Sequence, residues 1–178
     1  MSDPVPTVAD IQNAIRNIPD FPQPGIQFKD ITPVLASPRL FSGSIELLIQ
    51  NFKPGAVDAV VGIDARGFIF AAAAAVRLHA GFVPVRKKGK LPYKTHEQSY
   101  DLEYGQNTIA IHVDALQPGS RVLLIDDLLA TGGTAAAAAE LVKKLGGQIL
   151  EISFLIELSF LKGRDKLKGY PVRSLVVY

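Results

Sequence analysis

The stretch Val122-Leu123-Leu124-Ile125-Asp126-Asp127-Leu128-Leu129-Ala130-Thr131-Gly132-Gly133-Thr134 decides the fold of this chain. Its first four residues are apolar and branched, and read as a buried strand that ends in two acids. A glycine-containing turn follows and opens into a helix over residues 135–145. Lys143 and Lys144 lie in the last turn of that helix and Gly146-Gly147 stops it, as the dipole and capping rules require. A buried strand that feeds a helix through a short turn is half of a βαβ unit.

Working outward, the same alternation recurs. Residues 57–63, 82–85, 108–113 and 149–156 are short runs rich in valine and isoleucine, and residues 68–79 read as a helix. Continuous apolar strands linked through helices imply a mostly parallel sheet covered on both faces, a doubly wound α/β core. The alanine runs at 71–75 and 135–139 fit helices lying close on that sheet. Upstream, Thr7 and Asp10 form a capping-box variant, and Val8, Ile11, Ile15 and Ile18 follow at helical spacing. Pro19, Pro22 and Pro24 turn residues 20–33 into an extended segment, and a second helix starts near Pro38 with Phe41, Ile45, Leu48 and Phe52 as its stripe. One segment resists the scheme. Residues 86–107 are polar, basic and without helical period, the profile of a functional lid or a disordered insert, with a solvent-exposed hairpin as the bland reading.

Length bounds the chain to one domain, residues 1–178, and that size buries about 70% of the unfolded surface without staples. There is no cysteine, which excludes disulfides, thiolate zinc sites and a cysteine nucleophile together. No signal-peptide pattern opens the chain and no apolar run approaches the roughly 20 residues of a membrane helix, so a cytoplasmic protein without membrane partners is expected. A net charge of only +2 does not point to nucleic acid. The densest basic cluster, Arg86-Lys87-Lys88-Gly89-Lys90, is on composition alone a solvated surface run. His79, His96 and His112 lack metal-ligand spacing.

The chemistry of the deciding stretch is specific. Ligands of open α/β sheets bind outside the carboxyl ends of the strands. A helix amino terminus offers free N–H groups and about half a positive charge to a phosphate. Gly132 and Gly133 let the backbone approach that anion, Thr131 and Thr134 add hydroxyl donors, and Asp126 and Asp127 are acceptors suited to a sugar diol. Neither G-x-x-x-x-G-K-[ST] nor a helix-opening G-x-G-x-x-G is present. The bland alternative is an acid pair capping a helix, with glycines that only turn the chain.

These thirteen residues resemble the 5-phosphoribosyl 1-pyrophosphate signature of the type I phosphoribosyltransferases, in the form most like those that use adenine. The resemblance implies that Ala130, Thr131, Gly132, Gly133 and Thr134 hold the 5′-phosphate while Asp126 and Asp127 serve the ribose hydroxyls. It extends over nearly the whole chain. Residues 21–33, from Phe21-Pro22-Gln23-Pro24-Gly25-Ile26-Gln27-Phe28-Lys29 onward, resemble a base-binding hood placed within residues 1–35. There Phe28 would stack on the purine and backbone groups near Gln27 and Lys29 would read its edge; many members carry arginine in place of Lys29. Gly62-Ile63-Asp64-Ala65-Arg66-Gly67-Phe68 resembles the pyrophosphate loop, which implies phosphate contacts from Arg66 and a cis peptide at Asp64–Ala65. Residues 86–107 resemble a mobile active-site loop whose Arg86, Lys87 and Lys90 meet the leaving group and whose Glu103 acts on the purine ring as acid or base.

The resemblance further implies a magnesium ion, held through substrate oxygens and water with no direct protein ligand, and a homodimer. The activity implied is purine salvage: adenine and 5-phosphoribosyl 1-pyrophosphate give AMP and pyrophosphate. A phosphoribosyltransferase for another purine or a pyrimidine stays open as an alternative. A regulator that senses the sugar pyrophosphate on this fold is the alternative from another class, disfavoured by the near-neutral charge and the lack of a helix-turn-helix segment.

Overall fold

A computed structural model of the chain describes residues 5–101 and 105–178. It divides into two compact units, Met1–Leu47 and Leu48–Tyr178.

In the first unit, helix α1 (Val8–Ala14) starts on the expected capping box, with Thr7 and Asp10 bonded in both directions. It stops at Ala14 instead of continuing to Ile18. Ile15 is already extended, and Arg16–Pro19 (β1) pairs antiparallel with Gln27–Asp30 (β2). The reason is local. Pro19 pushes the residue before it toward the extended region, and the ladder with β2 satisfies the backbone that a longer helix would have used. A short helix α2 (Thr32–Ala36), which the proline count concealed, begins where Asp30 accepts the Thr32 amide at 2.9 Å and Pro33 occupies the first turn. Helix α3 (Pro38–Ile49) starts as expected and runs into the second unit; Ile45 and Leu48 of its stripe are buried, while Phe52 lies past its end.

The second unit contains β3 (Ala59–Ile63), α4 (Gly67–Leu78), β4 (Gly81–Lys87), β5 (Thr95–Asp101), β6 (Gln106–His112), β7 (Arg121–Leu129), α5 (Gly133–Lys144), β8 (Gln148–Glu157), 3-10 turns at Ser159–Leu161 and Gly163–Leu167, and β9 (Val172–Val177). The strands form one seven-stranded sheet in the order β5-β6-β4-β3-β7-β8-β9. The pairs from β4 through β9 are parallel, while β6 and β5 run antiparallel at one edge. So the expected mostly parallel α/β sheet is present. The segment that resisted the βαβ scheme holds β5 and the start of β6, which pair antiparallel.

Two crossovers place the site. From β3 the chain passes through α4 to β4 on one side, and from β7 it passes through α5 to β8 on the other. Right-handed connections leading in opposite directions put α4 and α5 on opposite faces. Alternation along the strands agrees: Val61, Ile63, Val122 and Leu124 join the buried cluster that holds Ala135, Ala138, Leu141 and Val142 of α5. Val60, Leu123 and Ile125 are equally buried but outside that cluster. β3 and β7, which lie side by side, therefore flank the point where the winding direction reverses. Crevices for ligands open at such points, beyond the carboxyl ends of the strands. At the opposite end Arg121 forks onto Asp58, at 2.7 Å and 3.0 Å, and fixes where β7 enters the sheet.

Candidate active site

The loops that leave β3 and β7 meet at this switch point. β7 does not end at Ile125, as its apolar run suggests. Its ladder with β8 continues through Asp126, Leu128 and Leu129, so both acids are carried on a strand and held by backbone pairing. Side-chain polarity hid this, because the ladder needs only main-chain groups. After Leu129 the chain turns through 130–132, and Gly133 and Thr134 form the first turn of α5.

That turn has the groups an anion needs. Gly132 stands at the amino cap with φ +77, a left-handed conformation that favours glycine, and no side chain caps the helix. Among the described residues, none of the amides of Thr131, Gly132, Gly133, Thr134 or Ala135 donates to a protein acceptor; the first bond back into the turn is from Ala136 to the Gly132 carbonyl, at 3.0 Å. These groups line a cavity of about 70 Å³ whose other walls are Asp126, Leu128 and Leu129. A row of free N–H groups at a helix amino end, facing a small hollow, is an anion cradle.

Two acids stand beside it. Asp127 is buried, and its Oδ2 lies 2.8 Å from Nη2 of Arg66 without an aligned hydrogen-bond donor. Asp126 turns an oxygen back to the Asp127 amide at 2.9 Å. Burial pushes the Asp126 carboxyl well above its ordinary value, and the negative Asp127 next to it pushes it further. Burial also raises Asp127, opposed by the Arg66 guanidinium. Gly67 makes room for the pair: a Cβ there would sit 2.6 Å from Asp126 Oδ1.

The loop after β3 brings its own cations. The Asp64–Ala65 peptide is cis, as the resemblance implied. Asp64, absent from the sequence-derived set although it stands in the quoted loop, accepts Nε of Arg86 at 3.1 Å. Arg86 also reaches the Lys90 carbonyl at 3.0 Å, which closes the turn after β4. Lys87 and Lys90 are exposed and have no carboxylate partner among the described residues, whereas Lys88 pairs with Glu97 at 2.8 Å. Arg66 is thus brought beside Asp127, and Arg86 beside Asp64 of the loop after β3. Glu103 lies outside the described residues.

In the first unit, the β1–β2 hairpin presents Phe21 and Phe28 edge to face, with ring centroids 5.1 Å apart. The Phe21–Pro22 bond is cis, and Asp20, itself at positive φ, accepts the Gly25 amide at 2.8 Å to close the loop. Gln27 accepts from Asn17 at 2.8 Å through its side chain, while its neighbours Phe28 and Lys29 are half-buried.

Comparison with known proteins places the whole chain in a family. The phosphoribosyl transferase domain family matches residues 31–175. The chain belongs to this family. An adenine phosphoribosyltransferase of Acidothermus cellulolyticus is 60% identical over 91% of this chain and 92% of its own length. The crystal structure of adenine phosphoribosyltransferase from Rhodothermus marinus superposes with a TM-score of 0.91 at 52% identity, covering 96% and 98% of the two chains. The Saccharomyces cerevisiae enzyme, solved with adenine and an imino-altritol bisphosphate, gives 0.89 at 42% identity over 94% and 97%. The matched span takes in most of the second unit, whose mostly parallel α/β sheet is the family's fold. Among its described residues, no group of three or more His, Cys, Asp or Glu side chains could hold a metal ion, and no helix is long and apolar enough to cross a membrane.

Proposed function

We infer that this phosphoribosyltransferase transfers the 5-phosphoribosyl group of 5-phosphoribosyl 1-pyrophosphate to adenine, giving AMP and pyrophosphate. The observation that carries the reading is the run of amides at 131–135, without protein acceptors among the described residues, beside half-buried Asp126 and buried Asp127 at the switch point. The adenine enzymes that resemble the chain over nearly its full length support the choice of base.

The reaction breaks the bond between the anomeric carbon and pyrophosphate and forms one to purine N9. The protein's part is positioning and charge. The turn at 130–134 holds the 5′-phosphate, and Asp126 and Asp127 take the ribose hydroxyls, which fixes the reacting carbon. Arg66 exchanges its contact with Asp127 for the pyrophosphate, and Arg86, Lys87 and Lys90 add to the neutralisation of the leaving group. Phe28 stacks on the base, with Gln27 and Lys29 presenting backbone groups to its edge. Glu103 handles the proton that the purine must gain or lose. The acceptor-only acid pair fits a magnesium ion that arrives on the donor's oxygens and keeps its waters; when bound, the ion offsets leaving-group charge. A cytoplasmic address belongs to the same reading.

The deciding assay offers labelled sugar donor and magnesium with each base in turn. Nucleotide formed with adenine and not with hypoxanthine, guanine, xanthine or orotate is the expected result. Comparable product with another base overturns the adenine assignment, and pyrophosphate release with none overturns the enzyme.

The reading includes a homodimer. Helix α4 exposes Ile69 and Val76, two turns apart on one face, the latter 76% accessible; Phe82 is exposed as well, and its ring packs edge to face on Phe68 of the same helix at 5.4 Å. Apolar side chains grouped on one surface mark an interaction site. Val76→Glu is expected to shift a dimeric protein toward monomer in sedimentation velocity. A dimer of unchanged strength places the interface elsewhere.

A further inference from the structure

We propose that Gly163 is a positioning residue for the sugar donor, whose close backbone approach from behind sets the shape of the phosphate turn. The proposal deepens the function inferred above and rests on it.

The contact is between two main chains. A Cβ on Gly132 would meet the Gly163 carbonyl oxygen at 2.3 Å, and a Cβ on Gly163 would meet the Ala130 carbonyl oxygen at 2.3 Å and the Gly132 nitrogen at 3.1 Å. Neither oxygen can swing away as a side chain would, since each belongs to a peptide plane. Gly163 is buried and, unlike Gly132, does not have a positive φ. Its backbone conformation is therefore open to alanine, and only the approach to residues 130–132 demands glycine. The two glycines form a reciprocal fit, one in the anion-facing turn and one outside it.

The segment that carries Gly163 is fastened on three sides. Arg164, the next residue, forks onto buried Glu157, with Nε at 2.8 Å from Oε1 and Nη2 at 2.7 Å from Oε2. Its Nη1 donates to the Val172 carbonyl at 3.0 Å. Glu157 stands opposite Leu129 in the β7–β8 ladder, and the Leu158 amide donates to the Leu129 carbonyl at 2.9 Å. Leu167, one turn on, is 1% exposed in the core cluster that contains the inner face of α5. The strand that delivers the turn, the helix that leaves it and the edge strand β9 therefore all hold the plate on which the turn rests. Lys162, at φ 53 and ψ 32, makes the bend that lets the plate reach it.

No side chain of residues 159–168 lines the 70 Å³ cavity. Gly163 consequently acts through the turn and not on the ligand. Amides that cradle a phosphate must converge on one point, and a misplacement of about 1 Å can lower function by roughly 10²-fold.

The test compares wild type with Gly163→Ala by calorimetric titration with ribose 5-phosphate and by steady-state kinetics. Expected is a roughly 10- to 100-fold rise in Kd for ribose 5-phosphate, and a matching rise in KM for the donor. KM for adenine and kcat at saturating donor should stay close to wild type, the pattern of lost ground-state binding. Loss spread evenly over both substrates, or unchanged ribose 5-phosphate binding, overturns the proposal. Failure of the wild type itself to bind ribose 5-phosphate overturns instead the function on which it rests. If Gly163→Ala does not fold, Arg164→Lys replaces it, because lysine keeps the charge opposite Glu157 but cannot fork onto it. A smaller rise confined to the donor then supports the proposal, and no rise overturns it.

Discussion

Alanine at both Asp126 and Asp127 is expected to weaken binding of the sugar donor by about 3–6 kcal/mol, since a hydrogen bond to a charged group contributes about 1.5–3 kcal/mol. That is two to four orders of magnitude in Kd, easily read by titration calorimetry with donor and magnesium. Unchanged binding by a folded double variant would remove the acids from the ribose site. The unliganded protein should respond in the opposite sense. Asp126 has a carboxyl raised above its ordinary value of 3.8, by burial first and by Asp127 second. A raised carboxyl favours the folded state while protonated, so its contribution is complete below about pH 4 and is lost as pH rises through the higher folded value. At neutral pH the ionised form opposes folding. Asp126→Asn should therefore melt higher than wild type at pH 7, with the difference shrinking toward pH 4. A difference that stays constant across that range would show that the gain is not electrostatic. On the proposed reading, acids placed to take a diol cost the fold some stability at neutral pH, an instance of function opposing stability.

Glu103→Gln is expected to reduce turnover by about 10²–10⁴-fold, the usual contribution of a positioned acid or base. Binding of ribose 5-phosphate should be unaffected, because the glutamine keeps the size of the side chain and the proposed donor site lies on β7 and α5. Equal losses in turnover and in donor affinity would reject a proton-transfer role. The resemblance to adenine-using relatives carries this prediction, as Glu103 lies outside the described residues.

The second unit was legible because its signals are redundant. Buried parallel strands show as unbroken runs such as 122–125, and α5 is announced by an acid pair, two glycines, an alanine run and a lysine-rich last turn. Interpretation failed where main-chain pairing overrides side-chain polarity. Strand β5, with the sequence Thr-His-Glu-Gln-Ser-Tyr-Asp, has almost no apolar content, yet it forms a full antiparallel ladder with β6. Strand β9 was missed for a different reason: Val172–Val177 follows glycine, proline and a run of charges, which conceal a short edge strand. In the first unit, Ile15 and Ile18 keep helical spacing but lie on the far side of the helix stop, where Pro19 and pairing with β2 decide.

The site divides along the same line. Asp126, Asp127 and the glycines stand in one contiguous motif and can be singled out from its chemistry, while Arg66 is named only through the resemblance of its loop. The partnership of Arg86 with Asp64 spans 22 positions, and that of Gly132 with Gly163 spans 31, so neither has a local signature. Gly163 in particular has no side chain with which to declare a role. Its importance is a matter of distance between backbones, which only the folded chain reveals.

Both helices beside the switch point rest on alanine: Ala71, Ala74 and Ala75 in α4, and Ala135, Ala137, Ala138 and Ala139 in α5, are all buried. Methyl groups have no rotamers to rearrange, and ordering them surrenders almost no entropy. A helix seated this way has little slack, so the direction in which its amino end points is a rigid property of the scaffold. Affinity for the phosphate is therefore hard to retune by repacking neighbours, and variation among such proteins in how tightly they hold the sugar should concentrate in the loops.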